Sequence, residues 1–262
     1  MSVAKLVSID INEAFPHLSQ APIVEAVIDI RARASRAWEE SAVRSQLQPQ
    51  LQGQYELLDS QRELEHETTM ERGTLPRQAA RDLGWKGLRF RSGDARQVAR
   101  FNRDGFVMSR LEPYVNWAQL EGEALRLWRI FVGIADPLSI QRVGVRFVNR
   151  IKLPQGELRF EEYIQPAPAP PHDLHLPFAS FLHRDLLAVP GHPYAVSVVR
   201  TVQRPVGGDV LGISLIIDID VFTTQESALD DSVLLARLQE MRWVKNKVFF
   251  GSLTDRALEA YQ

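Results

Sequence analysis

Apolar residues occupy every second position over long stretches of this sequence, and that period constrains the fold more than any other feature. In residues 210–222 the apolar positions fall on one side of an extended chain: Leu211, Ile213, Leu215, Ile217, Ile219 and Val221. Residues 23–34 and 139–152 repeat the pattern, with charged residues at many of the intervening positions. Period two is typical of a β-strand with one buried and one solvated face. We therefore expect an antiparallel sheet that is covered on one face only.

Further strand signals lie between these stretches. Strands are predicted at residues 56–72, 85–91, 97–102, 105–111, 178–188 and 193–204. Turn dipeptides separate several of these segments, which favours hairpins between them. Residues 73–84 are polar and are predicted to form a long turn.

Three helices of substantial length are predicted. The clearest one follows Asn116, because asparagine is a preferred N-cap and an apolar stripe of helical period comes after it. A second is predicted at residues 36–51, with Ser35 as its N-cap. The third, in the last quarter of the chain, begins near Asp230 or Asp231.

The order strand, helix, antiparallel strands, long helix occurs twice along the chain. This order predicts an α+β fold in which helices pack on one face of an antiparallel sheet, built from pseudo-duplicated halves at residues 1–137 and 138–262. The halves are expected to share one core, and residues 165–177 are expected to form a proline-rich connector. No sequence repeat accompanies the duplication. One continuous curved sheet that grips the helices is the alternative arrangement.

The composition excludes several classes of protein. The formal net charge is −2, so the whole molecule has no strong attraction to nucleic acid or anionic membranes. The absence of cysteine excludes disulfides, thiolate metal sites and cysteine nucleophiles. No apolar stretch approaches the roughly 20 residues of a membrane span, and Asp10 and Glu13 interrupt the apolar residues near the N-terminus. A cytoplasmic location without membrane contact is predicted.

Arginines on the strand faces are the first candidates for a functional site. Arg142, Arg146 and Arg150 share one face of a strand, and Arg31 and Arg33 share a face of another. An arginine side chain binds a carboxylate or phosphate through two parallel hydrogen bonds, so these residues are predicted to bind a ligand or partner. The simpler interpretation is that such charges are solvated or are paired with carboxylates on neighbouring strands.

Carboxylates on the predicted strands suggest an alternative site. If their strands converged, Glu63, Glu65, Asp218 and Asp220 would hold Mg²⁺ while the arginines neutralised phosphoryl oxygens. No metal-motif spacing supports this arrangement. The prediction is therefore no metal, with these four residues as the alternative ligands.

Four histidines, His172, His175, His183 and His192, fall within a short part of the chain. Two imidazoles and a carboxylate in the run from His172 to His175 are ligand types that zinc accepts. The run lies in the proline-rich segment, lacks the helical spacing of metalloprotease motifs and has no fixed fourth ligand, which favours a solvated loop.

No motif of catalysis or cofactor binding is present. The sequence has no Walker lysine motif, no strand-linked GxGxxG and no GxSxG elbow. Serine, histidine and aspartate show no recognisable triad spacing. No cofactor is predicted, and the sequence favours a non-enzymatic role while it leaves open whether the protein is an enzyme.

Three segments together resemble a sporadically distributed family of bacterial proteins of about this length, the TIGR04255 family. They are residues 21–30 (APIVEAVIDI), residues 142–151 (RVGVRFVNRI) and residues 246–254 (NKVFFGSLT). Their spacing covers nearly the whole chain. The resemblance implies no established activity, cofactor or catalytic residue, and the sporadic distribution implies an accessory role.

These observations lead to a functional hypothesis. We expect a non-enzymatic binding module of an accessory bacterial system that acts through the charged sheet face around Arg142, Arg146 and Arg150. Asn149 is included among the binding residues, although it falls on the mostly apolar face of its strand and would need hydrogen-bond partners if buried. A protein encoded by a neighbouring gene is the expected partner, and a homodimer is a further expectation. A metal-dependent enzyme that handles nucleotides or polyphosphate, and a nucleic-acid-binding protein, are the alternatives.

Overall fold

A nine-stranded antiparallel sheet forms the body of the protein in the residues that the structure describes, which confirms the α+β fold class. The structure is a computed structural model, and it describes residues 5–69, 77–154, 159–169, 180–203 and 212–262. The strands are β1 Ile23–Arg31, β2 Tyr55–Thr69, β3 Arg77–Ser92, β4 Gln97–Asn102, β5 Gly105–Leu111, β6 Arg142–Lys152, β7 Leu182–Ala188, β8 Ala195–Gln203 and β9 Ser214–Thr223.

The strand order places the two halves of the chain side by side in one sheet. Across the sheet the order is β2-β3-β4-β5-β1-β6-β9-β8-β7. Strands β1 to β5 lie on one side and β6 to β9 on the other, and the antiparallel pair of β1 with β6 joins them. The middle of the sheet therefore contains the first strand of each half.

Helices cover one face of the sheet. Those in the described part of the chain are α1 Glu40–Leu51, α2 Trp117–Ala135, α3 Asp231–Ser252 and the short α4 Asp255–Glu259. Helix α2 packs on β1 and β5, and α3 packs on β6 and β9. The predicted N-caps of both long helices are confirmed, because Asn116 accepts from the Gln119 N–H at 2.9 Å and Asp230 accepts from the Ser232 N–H at 2.7 Å. None of the described helices combines the length and apolar character that a membrane crossing requires.

The predicted start of the first helix is wrong. Helix α1 begins at Glu40, and its N-cap residue Glu39 makes no capping hydrogen bond through its side chain. The Ser35 hydroxyl instead donates to the Asp136 carbonyl at 2.5 Å, and the Ser35 N–H donates to the Ala135 carbonyl at 3.0 Å. Ser35 therefore binds the C-terminal end of α2, a tertiary contact that a local capping pattern does not reveal.

The predicted long turn at residues 73–84 is also wrong from Arg77 onward. Strand β3 begins at Arg77 and pairs with β2 from Thr69 through Tyr55. Its polar residues suit this position, because residues 80–83 are exposed and residues 84–86 are only half-buried. Register shifts interrupt the ladder at three places, so a simple alternation of apolar and polar residues is lost.

The two faces of the central strands differ sharply. The helix-covered face contributes fully buried apolar side chains: Ala26, Ile28, Ile30, Val143, Val145, Phe147, Ile217, Ile219 and Val221. The opposite face, here called the open face, carries the charged residues Glu25, Asp29, Arg31, Arg142, Arg146, Asp218 and Asp220. Each central strand thus supplies core residues to one side and charges to the other, as period-two alternation predicts.

Residues 5–22, here called the N-terminal arm, precede β1 without regular secondary structure. The arm crosses to the C-terminal half of the chain, where it makes these contacts: Val7 with Pro190, Glu13 with Trp243 and Lys247, Phe15 with Phe250, and Gln20 with Tyr261. Although it leads into the first strand, the arm therefore packs on α3 and on the end of the chain.

Candidate functional site

Two central arginines of the open face, Arg142 and Arg146, are already paired with carboxylates of the same chain. Arg142 donates to Asp29 at 2.5 Å and to Asp220 at 3.1 Å, and its guanidinium also lies 5.0 Å from the centre of the Phe222 ring. Arg146 makes two parallel hydrogen bonds to Asp218, at 2.8 and 2.6 Å. These hydrogen bonds raise the pKa of Arg146. The donors that would recognise a partner are thus largely engaged.

The remaining predicted arginines show the same tendency. Arg31 pairs with Asp29 at 3.0 Å and with Asp104 at 2.6 Å. Arg150 lies 3.8 Å from Glu112, at the limit of an ion pair. Arg33 is exposed, and its backbone N–H donates a hydrogen bond to the Gln141 side chain. Arg31, Arg142 and Arg146 are therefore compensated by carboxylates, whereas Arg33 and Arg100, the latter on the same open face, have no carboxylate within 4 Å among the described residues.

The alternative metal ligands do not come together. Glu63 lies on β2 beside Lys86 and Arg103, six positions across the sheet from β9, which carries Asp218 and Asp220. Glu65, next to Glu63 on the same strand, is exposed. Within the described ranges, no group of three or more His, Asp or Glu side chains is placed to hold a metal ion.

The histidine cluster is only partly described. His172 and His175 lie outside the described residues, as do residues 170–177 of the predicted connector. The His183 ring packs 5.4 Å from that of Phe181, and the His192 Nε2 lies 2.9 Å from the Val7 carbonyl oxygen. The two described histidines thus take part in packing and in anchoring the N-terminal arm.

Asn149 lies on the helix-covered face, opposite the arginines of its own strand. It is 2% exposed, and its carboxamide N–H groups donate to the Ile217 carbonyl at 3.0 Å and to the Phe147 carbonyl at 3.3 Å. The hydrogen-bond partners expected for a buried asparagine are therefore present. Asn149 also forms part of the wall of a cavity that the sequence did not predict.

This cavity, here called the Lys245 cavity, has a volume of about 470 Å³ and opens to solvent. Most of its wall comes from the N-terminal arm, residues 114–117 at the start of α2, and α3, and the strand residues Ile23 and Asn149 complete it. Its lining includes the side chains of Tyr114, Trp117, Asn149, Arg242, Trp243 and Lys245. A volume of this size is in the range of sites that hold small organic ligands.

Aromatic rings surround the base of the cavity and support two cations. Tyr114 and Trp117 pack against Phe147, with ring centres 5.5 and 6.4 Å away. The Lys245 Nζ lies 4.1 Å from the centre of the Phe147 ring, and the Arg242 guanidinium lies 5.8 Å from that of Trp117. Both contacts fall within cation–π distance. Each cation is thus held over a ring of one aromatic cluster.

Lys245 is the unusual member of this wall. It is 9% exposed, and among the described residues no carboxylate lies within ion-pair distance of it. Burial, together with the nearby positive charge of Arg242, lowers the pKa of Lys245 to about 7. Lysine is rarely buried without a partner, because removing an ammonium from water is costly.

Arg242 is also left without a carboxylate within 4 Å in the described part of the chain. The acid that acts on it electrostatically is Glu121, which accepts a hydrogen bond from the Gln239 side chain at 2.7 Å. Burial raises the pKa of Glu121 above its ordinary value. Glu13, the acid that lines the cavity in the described part of the chain, is occupied by Trp243 and Lys247. The cavity therefore carries an excess of positive charge.

Comparison with protein-family models, curated proteins and solved structures found no match. The family resemblance of the three sequence segments stays a prediction.

A sequence signal for the cavity does exist. Leu238, Met241 and Lys245 follow helical spacing, so Lys245 takes a position that the apolar stripe of α3 would otherwise fill. A lysine at a stripe position indicates either an end of the buried surface or a functional cation. The arrangement offers aromatic walls and two positive groups, one of which is a primary amine, and this combination suits the binding of an organic anion.

Proposed function

We propose that the protein binds a small organic anion in the Lys245 cavity. The observation that carries the proposal is the nine-tenths burial of Lys245 at the cavity wall without a carboxylate partner among the described residues. A buried charge is stable when something pairs with it. In this protein the missing partner is best supplied by a ligand.

The contrast with the open face supports this choice of site. On the open face each of Arg31, Arg142 and Arg146 has a carboxylate within 3.1 Å. In the cavity neither Arg242 nor Lys245 has one within 4 Å in the described ranges. Unbalanced positive charge in a partly enclosed site attracts anions more strongly than the same charge in open solvent.

The walls indicate an organic body on the anion. Tyr114, Trp117 and Trp243 present ring surface to the cavity, together with Phe249 and Phe250. Rings of this kind contribute through apolar burial and through offset stacking with a flat ligand. An aromatic carboxylate or an aromatic phosphate ester therefore fits the site better than a bare inorganic ion.

The test is ligand binding followed by tryptophan fluorescence. Trp117 and Trp243 line the cavity, so occupancy changes their emission. A panel of aromatic carboxylates and phosphate esters, with the corresponding uncharged amides as controls, is titrated at pH 6.5. We expect the anions to bind and Lys245→Met to weaken their binding by about tenfold or more, as loss of a desolvated charge-assisted contact predicts.

Lys152→Met is the matched control, because it removes one lysine charge at an exposed position of β6. This variant is expected to bind the anions as the unaltered protein does. Two results would contradict the proposal. One is that the unaltered protein binds the anions and the amides with equal affinity, and the other is that Lys245→Met and Lys152→Met lose anion affinity equally.

Capture of a protein partner through the open face stays a separate prediction. So do the homodimer, the accessory role, and the phosphoryl-handling and nucleic-acid-binding alternatives. The pairing of Arg142 and Arg146 with carboxylates reduces the donors available for such a partner. The cavity is the site that the geometry supports best.

A further inference from the structure

We propose that Lys245 forms a reversible imine with a carbonyl compound that carries an anionic group, such as an aromatic 2-oxo acid. This inference rests on the proposed function, because the same cavity must first hold the anion. It goes further by assigning the amine a covalent role. The reacting atom is Nζ of Lys245.

The geometry leaves this nitrogen free to react. Lys245 is nine-tenths buried, lines the cavity and makes no hydrogen bond or ion pair with another described side chain. Its described contact is the face of the Phe147 ring, 4.1 Å from Nζ. A lysine in apolar surroundings is a common nucleophile towards carbonyl carbon, since burial favours the neutral amine.

Two further features of the wall suit the proposed ligand class. Arg242, one helical turn before Lys245, supplies a guanidinium for the carboxylate of a 2-oxo acid. Its positive charge also contributes to the lowered pKa of Lys245, so a substantial fraction of the amine is unprotonated near neutral pH. One residue thus both orients the ligand and keeps the nucleophile active.

The step balances without a co-reactant. The neutral amine adds to the carbonyl carbon to give a carbinolamine, and a carbon–nitrogen double bond then replaces the carbon–oxygen double bond. The carbonyl oxygen leaves as water with the two protons that the amine loses. Nothing is oxidised or reduced, and hydrolysis returns both partners.

The other lysines serve as internal controls. The chain has five lysines, Lys5, Lys86, Lys152, Lys245 and Lys247. Lys247 is exposed and pairs with Glu13 at 2.5 Å, and Lys86 lies 3.5 Å from Glu63. Selective reaction at Lys245 is therefore distinguishable from general labelling of amines.

The test is reductive trapping on the full chain at pH 7. Phenylpyruvate is the probe, cyanoborohydride reduces any imine to a stable secondary amine, and peptide mass spectrometry locates the added mass. We expect Lys245 to carry at least about tenfold more label than any other lysine, given the ordinary lysine pKa near 10.4. Lys245→Arg should abolish this label while retaining the charge at the site.

Phenyllactate separates the failure of this inference from that of the proposed function, because it has the same ring and carboxylate but no carbonyl. Fluorescence binding of phenyllactate without trapping of phenylpyruvate at Lys245 would overturn the imine and leave anion binding in place. If the folded protein binds neither probe nor any other anion of the panel, both proposals fail. Equal labelling of all the lysines would likewise overturn the assignment to Lys245.

Discussion

Lys245 links the stability of the protein to pH. Its pKa in the folded state is lowered to about 7 by burial, whereas in an unfolded chain it is near 10.4. Below pH 7 both states bind the proton, and the folded state bears the full cost of the buried charge. Between about pH 7 and pH 10 the unfolded state binds more protons, so the free energy of unfolding contributed by this residue rises with pH.

We therefore predict that Lys245→Met is more stable than the unaltered protein at pH 6, and that its advantage decreases by roughly 4 kcal/mol as pH rises from 7 to 10. Urea unfolding of both proteins across this range measures the difference. Comparing two proteins cancels the titration of the tyrosines, including Tyr114, whose pKa is raised by burial. A pH-independent difference would show that the ammonium is solvated through the cavity mouth.

At the scale of single elements, Asn116 fixes the start of α2 and thereby the position of one wall of the Lys245 cavity. Its side chain accepts from the Gln119 N–H at 2.9 Å, and Trp117, the first helical residue, lines the cavity. An N-cap satisfies a backbone N–H that otherwise has no partner inside the helix.

Asn116→Ala is expected to lower the free energy of unfolding by about 1 kcal/mol, because alanine leaves that N–H without an acceptor. Asn116→Asp keeps an acceptor of the same size and places a negative charge at the positive end of the helix, so it should retain the stability. The urea concentration at the midpoint of unfolding measures the stability of both variants, provided that the slope of the unfolding free energy against urea is unchanged. A loss of the same size in Asn116→Asp would mean that the contribution of Asn116 is not its cap.

Elements with strong local signals could be predicted from the sequence. Strands β4 and β5 have the expected bounds, since turn residues enclose each of them. The start of α1 and the beginning of β3 could not, because distant partners decide them: the end of α2 for Ser35, and strand β2 for residues 77–84.

The candidate site was harder to predict than the elements. Asn149 was recognised as a polar residue on an apolar face, and the structure places it in the cavity wall. Arg242 and Lys245 were missed because the cavity exists only once the N-terminal arm, residues 114–117 and α3 come together. The alternation of charged residues along a strand can be read from a sequence. The partner that neutralises each charge becomes known only when the fold places other segments beside that strand.

At the scale of the whole molecule, the middle of the sheet joins the two halves of the chain. Strand β1 pairs with β6 over most of its length, and Arg142 of β6 binds Asp29 of β1 and Asp220 of β9. These three side chains are about three-quarters buried. Arg142 thus forms ion pairs with two carboxylates that belong to different halves.

We predict that Arg142→Met lowers the free energy of unfolding by about 2 kcal/mol, because it leaves two partly buried carboxylates facing each other. The loss should be shared by both halves if they unfold together. Hydrogen exchange of the slowest amides in β1 and β9 is the measurement, and both should lose the same opening free energy. A loss confined to β9 would mean that the halves unfold separately.

The N-terminal arm has a practical consequence for anyone who wishes to cut this protein in two. A gene divided near codon 137 would give one product that begins with the arm and another that contains α3, whose side the arm covers. Neither product would then contain all the walls of the Lys245 cavity. It would be rebuilt only when the two pieces reassociate, so recovery of binding in a mixture of fragments would report their reunion.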